Sequence, residues 1–123
     1  MSNRHRRHIM ALAVLLGIMA ATLPAMAGNS EREVRFATFN ASLNRAAQGE
    51  LITDLSTTTD IQAQAVAEII QRTRPDVLLI NEFDFDDGDI AVDLFQDNYL
   101  SMAQNGADPI EYPYRMGFAS NTG

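Results

Sequence analysis

Two apolar segments of this sequence lead to side chains that could bind a metal ion. Residues 77–80 lead to Glu82, and residues 34–39 lead to Asn40. Carboxylate and carboxamide oxygens are hard donors, and Mg²⁺ often takes only one or two carboxylates from a protein. A carboxylate at the end of a core strand also needs a partner if it is to stay charged. We therefore expect Glu82 and Asn40 to bind one divalent cation, Mg²⁺ in the first instance, with Mn²⁺ or Ca²⁺ as alternatives.

Both residues also have simpler interpretations. Glu82 could form an ion pair with an arginine such as Arg35 or Arg115. Asn40 could close a turn by accepting a hydrogen bond from its own backbone, as asparagine often does after a strand. If Asn40 does not bind the ion, its side chain could instead donate a hydrogen bond to a phosphate. The residue types alone leave these interpretations open.

The segments around the two residues predict a strand, a helix and a second strand. Residues 34–39 alternate and are rich in β-branched and aromatic side chains, which is typical of a strand. After a long polar loop, Thr59 and Gln62 fit the capping box that begins a helix. Apolar residues then recur at helical spacing until Pro75 ends the helix. Residues 77–80 form the second strand.

This order of elements predicts where Asn40 and Glu82 lie relative to each other. A connection through a helix makes two neighbouring strands parallel, with a right-handed crossover. The carboxyl ends of parallel strands meet at one edge of a sheet, where α/β proteins commonly bind ligands. We therefore expect the two side chains to lie together at this edge.

The second predicted strand needs more covering structure than the other predicted elements provide. Residues 77–80 are apolar without alternation, which is typical of a strand buried on both faces. Beyond the first helix, we predict only a short helix at residues 90–99 and a third strand at residues 114–119. These elements cannot cover both faces of a central sheet. We therefore expect the chain to be a fragment of a larger α/β (α+β) domain.

The first 27 residues read as a secretory signal peptide. Arginines at positions 4, 6 and 7 precede an apolar run at residues 9–23, and residues 25–27 form a small-x-small cleavage motif. The apolar run is shorter than a bilayer span of about 20 residues. We expect cleavage after Ala27, which leaves a secreted or periplasmic chain of residues 28–123 without a stable membrane anchor.

The charge of residues 28–123 argues against a nucleic-acid partner. This segment has six arginines and no lysine against sixteen acidic residues, a formal net charge of −10. Nucleic-acid binding normally uses a basic face, whereas acidic surfaces are compatible with divalent cations or serve solubility. The chain has no cysteine, and both histidines precede residue 28. A disulfide is therefore excluded, and the oligomeric state is not predicted.

Two other groups of residues do not match a calcium loop or a nucleophilic catalytic site. Asp84, Asp86, Asp87 and Asp89 suggest a calcium loop, but an EF-hand requires glycine at its sixth position and glutamate at its twelfth. Counted from Asp84, the glycine is fifth and the twelfth residue is Phe95, so a solvated turn is favoured. The serines of residues 28–123, Ser42 among them, have no histidine that could activate them as nucleophiles.

The residues from Val34 to Asn40 and from Arg74 to Glu82 resemble the endonuclease/exonuclease/phosphatase superfamily, the DNase I-like metal-dependent phosphoesterases. In that family a strand ends in asparagine, a helix follows, and a Pro-Asp-apolar strand ends in a metal-binding glutamate. The resemblance implies that this chain is the N-terminal part of a four-layer α/β/β/α sandwich. By position, Asn40 matches the asparagine near the metal and the scissile phosphate, and Glu82 matches the metal ligand.

The resemblance also implies a reaction. In the family, water attacks phosphorus in line, assisted by a metal and by a His–Asp pair near the carboxyl terminus. The present sequence matches less than half of such a domain and ends before that pair. We therefore expect an exported metal-dependent phosphoesterase with a phosphoester substrate, present here as a portion that is inactive alone. The alternative is a small secreted acidic module that binds divalent cations without catalysis.

Overall fold

The computed structural model describes residues 32–119 of the chain. Over this range the polypeptide forms a small α+β domain with a two-stranded parallel sheet and three α-helices. The elements in chain order are β1 (Phe36–Leu43), α1 (Glu50–Leu55), α2 (Ile61–Thr73), β2 (Val77–Phe83) and α3 (Ile90–Phe95), which continues as a π-helical turn (Gln96–Leu100). The predicted signal peptide and its cleavage site lie outside the described residues. No helix within residues 32–119 is long and apolar enough to cross a membrane.

The predicted strand–helix–strand unit is confirmed. β1 and β2 pair in parallel, from Phe36 opposite Val77 to Asn40 opposite Asn81. Both strands are longer than predicted, since β1 continues to Leu43 and the second strand to Phe83. Asn40 and Glu82 therefore lie within their strands, near the carboxyl ends, and do not follow the strands.

The N-cap of helix α2 lies one residue after the predicted cap. Asp60 is the N-cap, and its carboxylate accepts the Ala63 N–H at 2.7 Å. A carboxylate at this position both caps the helix and interacts favourably with the helix dipole, so it replaces the predicted cap, Thr59. At the other end, Arg74 adopts a left-handed conformation and its N–H donates to Ile70 O at 2.9 Å. Pro75 follows and prevents continuation of the helix, as predicted.

Helix α1 lies within the segment that we predicted as a loop, residues 40–58. Its six residues begin after Gly49, whose φ of 81° suits a residue without a side chain. Leu51 and Leu55 are one helical turn apart and fully buried. A helix of this length contains too few residues for its periodicity to be recognised in the sequence, which explains the wrong prediction.

The hydrophobic core lies between one face of the sheet and the helices. Its buried members include Leu43 of β1, Leu51 and Leu55 of α1, Ala63, Val66, Ala67 and Ile70 of α2, and Phe95, Tyr99 and Leu100 after β2. Phe39, Leu78, Ile80 and Phe83 pack against this cluster from the sheet. The helical layer thus covers one face of the sheet and fixes the orientation of both strands.

The opposite face of the sheet is apolar and exposed over residues 32–119. Phe36 is 76% exposed, Val77 48% and Leu79 57%. The uninterrupted apolar run that we predicted to be buried on both faces is therefore buried on one face in the described part of the chain. The three side chains form what we call the open face.

The predicted third strand is wrong for the described residues. Residues 114–119 form neither a helix nor a strand, and the side chains of Tyr114, Met116 and Phe118 are exposed. Side chains of the α3 region hold this segment instead of a strand ladder. The Gly117 N–H donates to Asp89 Oδ1 at 2.6 Å, and Arg115 Nε donates to Asp93 Oδ1 at 2.7 Å.

The aspartate-rich turn between β2 and α3 uses its carboxylates to bind backbone N–H groups. Asp86 accepts hydrogen bonds from the N–H groups of Gly88, Ile90 and Ala91 at 2.8 to 3.1 Å. Burial alone would raise the pKa of Asp86, but these three hydrogen bonds outweigh it and lower the pKa. The prediction of a turn that leads into a helix is confirmed, and Asp86 holds the first turn of α3.

The segment after the π-helical turn is fixed by buried polar side chains. Gln71 Nε2 donates to the carbonyl oxygens of Leu100 and Met102 at 2.9 and 2.7 Å. Gln96 Nε2 donates to the carbonyl of Ile110 at 3.0 Å. Further on, the Tyr112 hydroxyl donates to Pro75 O at 2.8 Å, which ties this segment to the end of α2.

Tyr112 predicts a loss of stability at alkaline pH. Burial raises its pKa to about 12, an effect that Arg74 opposes and Asp76 reinforces. The unfolded tyrosine releases its proton near pH 10, so the stabilising contribution is complete below about pH 10 and lost as the pH rises through about 12. Replacing Tyr112 with Phe should reduce the slope of unfolding free energy against pH in this window. The replacement should also cost about 1 kcal/mol at neutral pH through the lost hydrogen bond. Denaturant titrations between pH 8 and pH 12 would measure both effects, and an unchanged slope would contradict the assignment.

From the lowered pKa of Asp86 we expect the folded chain to lose stability at acid pH. Its pKa is lowered in the folded state, so its contribution is present above the unfolded pKa and lost as the pH falls through the folded value. Asp86→Ala should lower the unfolding free energy at neutral pH by about 1–2 kcal/mol, because three backbone donors lose their acceptor. Chemical denaturation at pH 7 measures this loss. The matched control is Asp87→Ala at the exposed neighbouring position, for which we expect a change below about 0.5 kcal/mol. Equal losses in the two variants would show that the capping interaction is not responsible.

Candidate metal centre

Asn40 and Glu82 lie together near the carboxyl ends of β1 and β2, and a serine hydroxyl connects them. The Ser42 Oγ atom lies 3.4 Å from Asn40 Oδ1 and 3.3 Å from Glu82 Oε2. The Ser42 N–H donates to the same Asn40 oxygen at 3.1 Å. Three oxygen-bearing side chains thus converge at one edge of the sheet, as expected for the pair Asn40 and Glu82.

An irregularity in strand pairing creates this arrangement. Asn40 is opposite Asn81 and Leu43 is opposite Phe83, so β1 contains one more residue than β2 over this stretch. Ser42 and Glu82 lie within the irregular stretch, and both have positive φ angles, 50° and 54°. Such a β-bulge redirects side chains, and bulges are common next to active sites.

The bulge turns Glu82 away from the core. Leu78 and Ile80 pack against the core, and strict alternation would direct Glu82 to the same face. After the bulge, Phe83 packs against the core and Glu82 is exposed. The change in alternation spares the domain a buried carboxylate and places that carboxylate beside Ser42.

Neighbouring side chains hold the bulge in place. Gln62 Nε2, from the first turn of α2, donates to Ser42 O at 2.6 Å and to Ala41 O at 3.3 Å. Asp84, directly after β2, accepts the Arg45 N–H at 3.0 Å through Oδ2. The end of β1 is therefore connected by hydrogen bonds to both the crossover helix and the residue that follows β2.

Arg45 does not neutralise the candidate site. Its Nε donates to Asp54 Oδ2 at 2.7 Å, and its guanidinium lies 3.6 Å from Asp60 Oδ2. The hydrogen bond to Asp54 is the main cause of the raised pKa of Arg45, although partial burial acts in the opposite direction. This arginine therefore joins the end of α1 to the N-cap of α2, and among residues 32–119 its recorded ion-pair partners do not include Glu82.

The ion-pair interpretation of Glu82 finds no support in the structure. Arg115 pairs with Asp93, and the backbone N–H of Arg35 donates to Asp76. No ion pair within 4.0 Å among residues 32–119 includes Glu82. The hydrogen bond that the turn interpretation expects of Asn40 is present, since its Oδ1 accepts the Ser42 N–H, but Asn40 lies within β1 and not in a turn after it. This hydrogen bond leaves the Asn40 Nδ2 group available as a donor.

The donors fit a hard cation that takes few protein ligands. Carboxylate, hydroxyl and carboxamide oxygens at the edge of the sheet are of the type that Mg²⁺ and Ca²⁺ accept. Residues 32–119 contain no group of three or more His, Cys, Asp or Glu side chains that could hold a metal. A cation here would therefore take no more than two carboxylates from this part of the chain, as Mg²⁺ often does.

A groove of about 260 Å³ runs along the two segments that follow β1 and β2. It is lined by Arg45, Ala47, Gln48, Gly49, Asp84 and Phe85. Both polar and apolar groups line it, so it offers space for a small polar molecule beside the ends of the two strands.

The sequence identified two of the residues at this edge but missed two others. From the sequence, Ser42 is only a hydroxyl without a histidine to activate it, and Gln62 is only part of a capping box. Their contacts depend on the bulge, which has no signal in the sequence. The position of Ser42, two residues after Asn40, was the available clue, because alternation places both on one face.

Comparisons of the chain with protein-family models, with curated proteins and with solved structures found no match. What the site does is therefore inferred from its residues and their geometry.

Proposed function

We propose that this chain is part of an exported, metal-dependent phosphoesterase of the endonuclease/exonuclease/phosphatase type. The observation that carries this proposal is the meeting of Asn40 and Glu82 on adjacent parallel strands, in contact with one Ser42 hydroxyl. The family that the sequence resembles uses an asparagine and a metal-binding glutamate at corresponding strand ends. Residue type, order along the chain and spatial position all support the same assignment.

The open face supports the proposed four-layer sandwich. Phe36, Val77 and Leu79 are exposed on one side of the sheet, while helices cover the other side. An apolar strand face requires a covering layer, and in an α/β/β/α sandwich that layer is a second sheet. The proposed fold would therefore bury the surface that residues 32–119 leave open.

In the proposed reaction, Glu82 and Asn40 have different tasks. Glu82 would hold the cation, Mg²⁺ in the first instance or Mn²⁺ or Ca²⁺, through its exposed carboxylate. A cation bound here would stabilise the negative charge that develops on the phosphoryl oxygens. Asn40 already uses Oδ1 to accept the Ser42 N–H, so its Nδ2 group would donate to a phosphoryl oxygen and orient the substrate.

The charge of the chain favours a small substrate. Residues 28–123 carry a formal charge of −10, Glu82 lies at the proposed site, and Asp84 lines the neighbouring groove. A nucleic acid would bring many phosphates to this acidic surface and would be repelled at low salt. A molecule with one or two phosphate groups requires neutralisation only at the cation, so we propose a small phosphoester. Export of the protein rests on the signal-peptide pattern of residues 1–27.

The alternative function, an acidic module that binds cations without catalysis, receives less support. Besides Glu82, the aspartate-rich turn of residues 84–89 offers carboxylates for such a module. There, Asp84, Asp86 and Asp89 each accept hydrogen bonds from backbone N–H groups. These contacts give the carboxylates a structural task and leave Glu82 as the better candidate for a cation.

Glu82→Gln tests the proposed function. The substitution keeps the size of the side chain and removes the charge that holds the cation. We expect Mn²⁺ affinity of the full chain to fall by at least roughly tenfold, and metal-dependent phosphoester hydrolysis by the full-length enzyme by at least roughly a hundredfold. Electron paramagnetic resonance of free Mn²⁺ measures the first quantity, and release of nitrophenol from nitrophenyl phosphate mono- and diesters measures the second.

The matched control is Glu111→Gln, which makes the same change at an exposed glutamate after the π-helical turn. It should leave both quantities within about twofold of the wild type. Undiminished hydrolysis by the Glu82→Gln enzyme would refute the phosphoesterase assignment. If Glu82→Gln loses Mn²⁺ binding but the wild-type protein shows no hydrolysis, the acidic cation-binding module is favoured.

A further inference from the structure

We propose that Ser42 is a positioning residue, whose hydroxyl orients the Glu82 carboxylate for cation binding. The inference rests on the proposed function, because it concerns the same site. Its basis is the position of one hydroxyl between two acceptors, Asn40 Oδ1 at 3.4 Å and Glu82 Oε2 at 3.3 Å. A hydroxyl has a single hydrogen, so it can donate to only one of them at a time.

The other hydrogen bonds of the two acceptors indicate which of them accepts the hydroxyl hydrogen. Asn40 Oδ1 already accepts that N–H at 3.1 Å. The Glu82 carboxylate has no other hydrogen-bond partner among residues 32–119 that the structure records. A charged acceptor also forms the stronger hydrogen bond. We therefore infer that the hydroxyl donates its hydrogen bond to Glu82. This bond fixes one carboxylate oxygen and leaves the other oxygen for a cation.

Ser42 is itself held firmly enough to act in this way. Its carbonyl accepts Gln62 Nε2 at 2.6 Å, and its N–H is bound to Asn40. These two contacts fix the backbone on both sides of the side chain. The Glu82 side chain, in contrast, is exposed, so without the hydroxyl its carboxylate would rotate freely. Ordering an exposed carboxylate before the cation arrives lowers the entropic cost of binding.

The conformation of Ser42 supports a task for its side chain. Its φ of 50° lies in the left-handed region, which glycine adopts without strain and asparagine more readily than most residues. Serine has a steric cost at this angle that glycine would avoid. The backbone contacts of the bulge need no side chain, so the contacts of the hydroxyl give a reason for a serine at this position.

The test compares Ser42→Gly with the wild-type full chain. Glycine keeps the N–H, the carbonyl and the left-handed conformation, and it removes the hydroxymethyl side chain with its hydrogen-bond donor. We expect Mn²⁺ affinity, measured by electron paramagnetic resonance of the free ion, to fall roughly tenfold. The melting temperature should be equal or higher, since strain is relieved. Loss of affinity without loss of stability separates positioning from a structural role, and unchanged affinity would overturn the proposal.

Two further variants complete the test. Ser42→Asn restores a donor in a residue that tolerates the left-handed conformation, and it should recover most of the lost affinity. Thr38→Val removes another hydroxyl on the same face of β1, one that accepts a hydrogen bond from Asn81, and should change the affinity by no more than about twofold. Failure of Ser42→Asn to bind Mn²⁺ better than Ser42→Gly would overturn the role of the donor. Weak binding by Glu82→Gln together with normal binding by Ser42→Gly would refute only this inference and leave the proposed function standing.

Discussion

The parallel pairing of β1 with β2 is the constraint on which the candidate site depends. Asn40 and Glu82 are 42 positions apart in the sequence, yet the crossover through α2 places them on neighbouring strands. The apolar face of α2 packs against the sheet and allows only one face of the strands to turn inward. An isolated two-stranded sheet is marginally stable, so this packing is what keeps the strand ends together.

The one-sided packing has a second consequence. A domain that buries one face of its sheet leaves Phe36, Val77 and Leu79 exposed on the other. The same alternation that exposes them also places Asn40 and Ser42 on the outer side of β1. The apolar surface and the polar site are therefore continuous parts of one face. A layer that covered the apolar part would border the site and form one of its walls, which connects the proposed fold with the proposed chemistry.

The parts of this structure that could be predicted from the sequence are those determined by neighbouring residues. The amphipathic spacing of α2 and Pro75 at its end are local signals, and together they imply a parallel pair with Asn40 near Glu82. The bulge is different, because it depends on register between distant strands. Helix α1 depends on packing of Leu51, Ile52 and Leu55 against the core. The third strand is predicted at residues 114–119, but a strand also needs a neighbour to pair with, and hydrogen bonds to Asp89 and Asp93 hold that segment instead.

The residues with positive φ angles fall into two groups, those that end or join elements and those that lie inside strands. In residues 32–119, five residues other than glycine have positive φ: Ser42, Arg74, Glu82, Asp89 and Asn105. Three of them have a structural reason, since Arg74 ends α2, Asp89 precedes α3 and Asn105 lies in a turn. Ser42 and Glu82 lie inside strands, where regular pairing would avoid such angles. They are also the two residues whose side chains meet at the end of the sheet. Strain that does not serve the termination of an element, and that coincides with a convergence of oxygen donors, supports the proposal that this end of the sheet is a functional site.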